Sequence, residues 1–224
     1  MKESEDKIYS FYETSILKYL NIENGSSILD IGCGSGDLAL SMKEDNSIVV
    51  DGITISPAEA IAASSVLDNC YCFDLENGLP RETLSKEYDI VIMSHVLEHI
   101  CYPESLLRDL QELPNKDLKI AVAIPNLMHY RYRLKILMGK FDYEESGIMD
   151  YTHFRWYTFK SASDLFIQNG FNVERTGYSI WLPFGRILNK IPNEKVKDYL
   201  KNLFSFFSKE LFAWEMIFIL TLRK

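Results

Sequence analysis

The stretch ILDIGCGSGDLAL, residues Ile28 to Leu40, sets a short apolar run against three closely spaced glycines and then returns to an apolar rhythm. Asn24-Gly25 just ahead of it is a turn, so Ser27 to Ile31 reads as a buried strand, Gly32 to Gly36 as a tight loop and Asp37 to Lys43 as a helix. Strand, glycine loop and helix form the opening unit of an α/β sheet, where ligands bind beyond the carboxyl ends of the strands. A dinucleotide loop, G-x-G-x-x-G, would need its third glycine at position 37, which is Asp37. Asp30 and Asp37 bracket the loop with negative charge. A pyrophosphate would be repelled there, whereas a ligand carrying an ammonium and a sulfonium would be attracted. The glycines let the backbone approach such a ligand without side-chain obstruction.

Working outward, the same unit recurs. Ile48 to Ile55 is apolar and stops at Ser56-Pro57, where Ser56 can cap and Pro57 can open a helix running to Leu67. Further strands are predicted at Asn69 to Asp74, Tyr88 to Ser94 and Lys119 to Ile124, with helices at Leu97 to Ile100 and Glu104 to Leu113. Apolar strands alternating with helical segments are what a parallel sheet covered on both faces requires, so the pattern is doubly wound α/β. After Pro125 the texture changes to a Tyr, Arg and His-rich stretch, which reads as a lid or substrate-side insertion over about 128–158. A helix from Ser161 to Asn169, a strand from Phe171 to Tyr178 and a last strand from Trp214 to Leu222 complete the chain. Ahead of the first strand, Ile8, Phe11, Tyr12, Ile16, Leu17 and Leu20 lie at helical spacing and predict an amphipathic helix over 3–20. The expectation is a single domain, 1–224, with a helical insertion at about 183–210.

Composition narrows the function. The 224 residues are 47% hydrophobic and 25% charged, which excludes a mainly disordered chain. A formal net charge of −8 argues against a nucleic-acid partner, because phosphate binding needs a surplus of Lys and Arg. Four cysteines without a C-x-x-C pair, no signal-like start and no run of about 18 apolar residues predict a reducing, cytoplasmic setting. Basic and aromatic residues interleave over 186–209, a pattern compatible with membrane-surface contact but more often with packing or a dimer contact. The oligomer expected is a monomer or homodimer.

ILDIGCGSGDLAL resembles the first signature of class I S-adenosylmethionine-dependent methyltransferases, and later segments follow that family in order over roughly 25–178. The resemblance implies a Rossmann-like sheet of seven strands, mostly parallel with the last antiparallel, and S-adenosylmethionine as cofactor. It implies that Asp30 serves the methionine end, that Gly32, Gly34 and Gly36 line it, and that Ile55 packs on the adenine. Asp74, with the Leu75 backbone beside it, matches the acid that reaches the adenine amino group; a capping or turn aspartate is the alternative. The family's ribose-binding acid at the end of the second strand is replaced by Thr54, a departure that leaves one hydroxyl in place of a bidentate acceptor.

The segment SHVLEH, Ser94 to His99, fits the H-x-x-E-H spelling of an inverted zinc peptidase, but that motif belongs inside a long helix and here follows a strand directly. It resembles instead the S-x-V-L-E-H segment of small-molecule methyltransferases, which places Ser94 at the cofactor and His95 near the reacting methyl. No residue is assigned to a metal. On the substrate side the candidates are His129, Tyr130, Arg131, Arg133, Asp150, His153, Arg155 and Tyr157. DYTHFRWYT resembles the H-x-R-F-F-T segment of the same family, and His153 is expected to act as a base or orienter while Arg155 binds an anionic or hydroxyl-rich acceptor. The predicted function is methyl transfer to an oxygen or nitrogen of a small-molecule or saccharide acceptor. The alternative is a non-catalytic S-adenosylmethionine-binding regulatory or scaffold module, motivated by Thr54 and by the lack of an N-P-P-Y-type segment.

Overall fold

The computed structural model describes residues 14–180, 196 and 208–223. Seven strands form one sheet: β1 (Ser27–Ile31), β2 (Val49–Thr54), β3 (Asn69–Cys72), β4 (Ile90–Ser94), β5 (Lys119–Pro125), β6 (Phe171–Ile180) and β7 (Ala213–Leu222), in the order β3-β2-β1-β4-β5-β7-β6. All neighbours are parallel except β7, which runs antiparallel between β5 and β6. The chain moves outward from β1 to β2 and β3 on one side, then returns to place β4 against β1 and continues the other way. That reversal opens a crevice beyond the carboxyl ends of β1 and β4.

The central strands are apolar on both faces because both faces are covered. Leu29, Ile31, Val91, Met93, Ile120 and Val122 point into one core layer, and their neighbours Ile28, Ile90, Ile92, Ala121 and Ala123 into the other, the alternation that a pleated strand imposes. Helix α4 (Pro103–Glu112) covers the first layer with Leu106, Leu107 and Leu110, joined by α6 (Phe159–Gln168) through Ala162 and Phe166. Helix α1 (Asp37–Asp45) covers the second with Ala39 and Met42, next to α2 (Pro57–Ala63) and Ile16 from the 3₁₀ segment Thr14–Tyr19. Burying each Leu or Ile side chain contributes about 1.5–3 kcal/mol, so these layers fix the strand order that positions the site.

Several boundaries differ from expectation. Helix α2 ends at Ala63, not Leu67, and SHVLEH leads into a single 3₁₀ turn, Leu97–His99, instead of a helix. A turn that short cannot set two imidazoles one helical repeat apart, which removes the peptidase geometry. The lid stretch contains α5 (Tyr130–Leu137), and a short α3 (Arg81–Leu84) precedes β4. Of the expected N-terminal helix only residues 14–20 fall among the described residues, where Thr14–Tyr19 is a 3₁₀ segment; most of the helical insertion, including most of the basic and aromatic pattern, lies outside them, and α7 (Lys209–Phe212) leads into β7. Among the described residues no helix is long and apolar enough to cross a membrane.

Candidate active site

The site begins where β1 hands over to α1. Gly32, Gly34 and Gly36 all adopt positive φ, at 77°, 52° and 89°, a region that favours glycine. At Gly32 space forbids a side chain as well, because a Cβ would lie 2.5 Å from Val96 Cγ2. Beneath this loop Asp30 is only 2% exposed, and its Oδ2 has no hydrogen-bond partner among the described residues. Burial alone lifts its carboxyl to about 7. A buried carboxylate lacking a donor is costly unless a ligand supplies one. An ammonium group approaching through the glycine loop supplies it, so the loop and Asp30 together fit the methionine end of S-adenosylmethionine.

The β2 end is built differently from expectation. Thr54 is buried and its hydroxyl donates to Glu59 Oε2 at 2.6 Å, while the Ser56 amide donates back to Thr54 Oγ1 at 3.3 Å. The carboxylate that the strand end lacks is thus supplied by the first turn of α2. In the sequence Ser56-Pro-Ala-Glu59 looks like an ordinary capping box, with Ser56 Oγ accepting from the Glu59 amide, so nothing marked Glu59 as special. Ile55 beside it is 68% exposed, an apolar side chain left for a ring to cover. Asp74 is exposed and caps the 3₁₀ turn Leu75–Asn77 through the Glu76 amide, at 3.0 Å, which is the capping role weighed against adenine contact. Leu75 is half-buried on the same turn and Ser94 half-buried at the end of β4.

Immediately after Ser94 the backbone turns sharply: His95 has φ 56°, the one positive φ outside glycine among the described residues. Its Nε2 lies 3.0 Å from Glu215 Oε2 and its Nδ1 3.3 Å from Glu98 Oε1, both carboxylates being fully buried. Burial by itself would push the imidazole down, but hydrogen bonds and charge from Glu215 and Glu98 win and hold it at about 10. His95 is therefore a cation at neutral pH with both ring nitrogens engaged, an anchor and not a proton acceptor. Glu215 also accepts a hydrogen bond from Ser15, which ties the N-terminal 3₁₀ segment to β7; although burial raises its carboxyl, His95 and Ser15 bring it below its ordinary value.

The acceptor side is strapped to the Leu97–His99 turn. The Glu98 carbonyl accepts from the Phe154 and Arg155 amides at 2.8 and 3.2 Å, and Arg155 Nε donates to the Cys101 carbonyl at 2.8 Å. His153 is buried, its Nδ1 lies 3.0 Å from the Ile148 carbonyl, and burial depresses its pKa. Donation from Nδ1 leaves the Nε2 lone pair free for chemistry. His99 and His153 meet edge to face at 4.6 Å between ring centroids. Asp150 accepts from the Thr152 amide and hydroxyl, at 2.8 and 2.6 Å, and so shapes the turn that presents His153. Tyr157 is buried with its hydroxyl unpartnered among the described residues. His129 packs against Tyr130 and Trp214, while Arg131 and Arg133 lie exposed on α5. The structure thus brings His95, His153 and Arg155 around one turn. It adds Glu59, Glu98 and Glu215, which the sequence reading did not select; a lone acid in the apolar run AWEMIFILTL was the available sign for Glu215.

A seven-stranded sheet in this order, with an antiparallel β7 and a glycine loop over a buried acid at the switch point, defines a class I S-adenosylmethionine-dependent methyltransferase architecture. The family described as "Methyltransferase domain" matches residues 6–176, and the chain belongs to it. S-adenosylmethionine is the cofactor of this class, supplying an electrophilic methyl group on a sulfonium. The chain is similar to the ajmaline N-methyltransferase of Rauvolfia serpentina, 30% identical over 38% of this chain and 31% of that protein. It is likewise similar to the ubiquinone biosynthesis O-methyltransferase of Glaesserella parasuis, 30% identical over 56% of this chain and 58% of that one. The chain therefore spans less than two thirds of the length of these relatives. A crystal structure of a SAM-dependent methyltransferase from Archaeoglobus fulgidus superimposes with a TM-score of 0.63 at 18% identity, covering 89% of this chain and 87% of that one.

Proposed function

We propose that the protein transfers the methyl group of S-adenosylmethionine to an oxygen or nitrogen of a small-molecule or saccharide acceptor, bound beyond the carboxyl ends of β4 and β5 against residues 150–157. The observation that carries this is the buried Asp30 carboxylate, whose Oδ2 has no partner among the described residues, beneath a glycine loop that admits no side chain at Gly32. Gly34 and Gly36 line the cofactor, Thr54 with Glu59 faces its ribose hydroxyls, Ile55 covers its adenine and Ser94 borders the methyl. Asp74 and Leu75 form the rim near the adenine amino group.

On the acceptor side this chain's residues orient and accept a proton. His95, fixed as a cation between Glu98 and Glu215, holds the Leu97–His99 turn in place. His153, its Nδ1 tied to Ile148, presents Nε2 as base or orienter, and Arg155 supplies positive charge to an anionic or hydroxyl-rich acceptor. Rate then comes mainly from alignment, with proton transfer adding about 10²–10⁴-fold where the acceptor must lose a proton. The N- and O-methyltransferases among the relatives support a small acceptor; the protein so proposed is a cytoplasmic monomer or homodimer without a nucleic-acid partner, the last supported by the net charge of −8. The test is calorimetric titration with S-adenosylmethionine followed by a product assay across acceptor classes. Heat of binding and S-adenosylhomocysteine formation are expected. Binding with no product from any acceptor would make the chain a binding module, and no binding would overturn the cofactor assignment.

A further inference from the structure

We propose that Glu98, His99 and His153 form a binding site for one divalent transition-metal ion on the acceptor side of the crevice. Each offers one ligand atom, and the three atoms lie within 4.8 Å of one another, close enough to converge, with small side-chain shifts, on a single ion with ligand bonds of about 2.0–2.2 Å. Two imidazoles and one carboxylate are a donor set suited to zinc or ferrous iron and too nitrogen-rich for magnesium or calcium.

Three further observations point to a ligand. Glu98 is 1% exposed, and beyond the 3.3 Å approach of His95 to Oε1 its Oε2 has no partner among the described residues. With His95 engaging Oε1 alone, Oε2 is a buried carboxylate oxygen left bare, and a bound cation would satisfy it. Both rings are also held in a defined tautomer. His99 Nδ1 lies 3.2 Å from the Thr152 carbonyl and 3.1 Å from its hydroxyl, which itself donates to Asp150; His153 Nδ1 lies 3.0 Å from the Ile148 carbonyl. Carbonyls accept only, so each Nδ1 carries the proton and each Nε2 is left with its lone pair, the tautomer that a metal-binding histidine requires. Finally, Glu98 and His99 come from one turn and His153 from a segment some fifty residues later. An ion between them would join the two strapped elements, and the half-buried His99 leaves a way in.

Three protein ligands leave a zinc-like ion one open position. An acceptor hydroxyl bound there would be positioned and made more acidic, with His153 acting as a ligand instead of a free base. This deepens the acceptor assignment proposed above and relies on it only for the ion's role, not for its binding.

The test uses the full chain, stripped with chelator, then titrated with zinc in a calorimeter and with cobalt while visible absorption is recorded. The same is done for Glu98→Gln and His153→Gln, whose folding is checked by circular dichroism, and S-adenosylmethionine binding is measured in parallel. One equivalent of metal is expected, with a low-symmetry cobalt spectrum, and affinity falling at least about 10-fold in each variant. Sub-stoichiometric binding, or affinity unchanged in both variants, would mean an adventitious ion only and overturn the site. A variant that fails to fold is replaced by His99→Gln, read the same way. Metal binding without S-adenosylmethionine binding would sink the function proposed above and leave this site standing; the reverse outcome would do the opposite.

Discussion

The two halves of the crevice are built by different means. The β1–β2 side, where we propose the cofactor sits, is a backbone loop, one buried carboxylate and a local Thr54–Glu59 pair, all within about thirty residues of chain. The β4–β5 side, where we propose the acceptor sits, is held by side chains gathered from far apart: Ser15 with Glu215, His95 with Glu215, His99 with Thr152. The cofactor half depends on conformations that only certain residues can adopt, the acceptor half on charge pairs that only the finished fold assembles. A ligand shared by a whole family can be held by the first kind of construction, whereas acceptor choice calls for the second.

That contrast can be broken or sharpened by substitution. The largest effect is expected from Glu215→Ala, which strands a cationic His95 beside a buried site and should cost about 3–5 kcal/mol in denaturant unfolding. If it is as mild as a surface change, the charge pairing is not what holds this half together. His153→Ala should lower turnover at least ~100-fold while calorimetry finds S-adenosylmethionine affinity unaltered, and a loss of cofactor binding would show that the halves are not separable. Gly32→Ala forces a Cβ against Val96 at a φ of 77° and should cost about 2 kcal/mol of stability together with most cofactor affinity.

A smaller effect follows from pH. The folded protein holds a proton on Asp30 up to about 7, whereas the unfolded chain releases it near 3.8, so stability without ligand should fall as pH rises through that window. Cofactor binding selects the ionised form, so S-adenosylmethionine affinity should rise from pH 6 to 8 with proton release, visible as a dependence of binding heat on buffer ionisation. Asp30→Asn should bind weakly and show a flat profile. Smallest of all, Ile55→Ala should leave unfolding within about 0.5 kcal/mol and weaken cofactor binding only several-fold.

The same contrast explains what could be read from the residues in order. Strand β1 was legible to the residue and β4 to within two, because short apolar runs bounded by glycine or polar residues leave few alternatives. The glycine loop and Asp30 were legible because their chemistry is local. The Thr54–Glu59 hydrogen bond was not legible, because Glu59, five residues on, reads as part of a helix cap. His95 was legible as a residue at the end of β4, but its pairing with Glu98 and Glu215 was not, because no period or spacing relates position 95 to position 215. The α5 helix was hidden by a Tyr and Arg-rich composition that reads as loop.

Because β7 is threaded between β5 and β6, Glu215, one of the two carboxylates that flank His95, reaches its place only after β1 to β6 have been synthesised. A ribosome-bound intermediate that has emitted β1 to β5 already carries the glycine loop, yet its His95 has Glu98 alone as a counter-ion and its central sheet has an open border. Vectorial synthesis therefore completes the glycine loop early and the Glu215–His95 pairing late, after the sheet closes around β7.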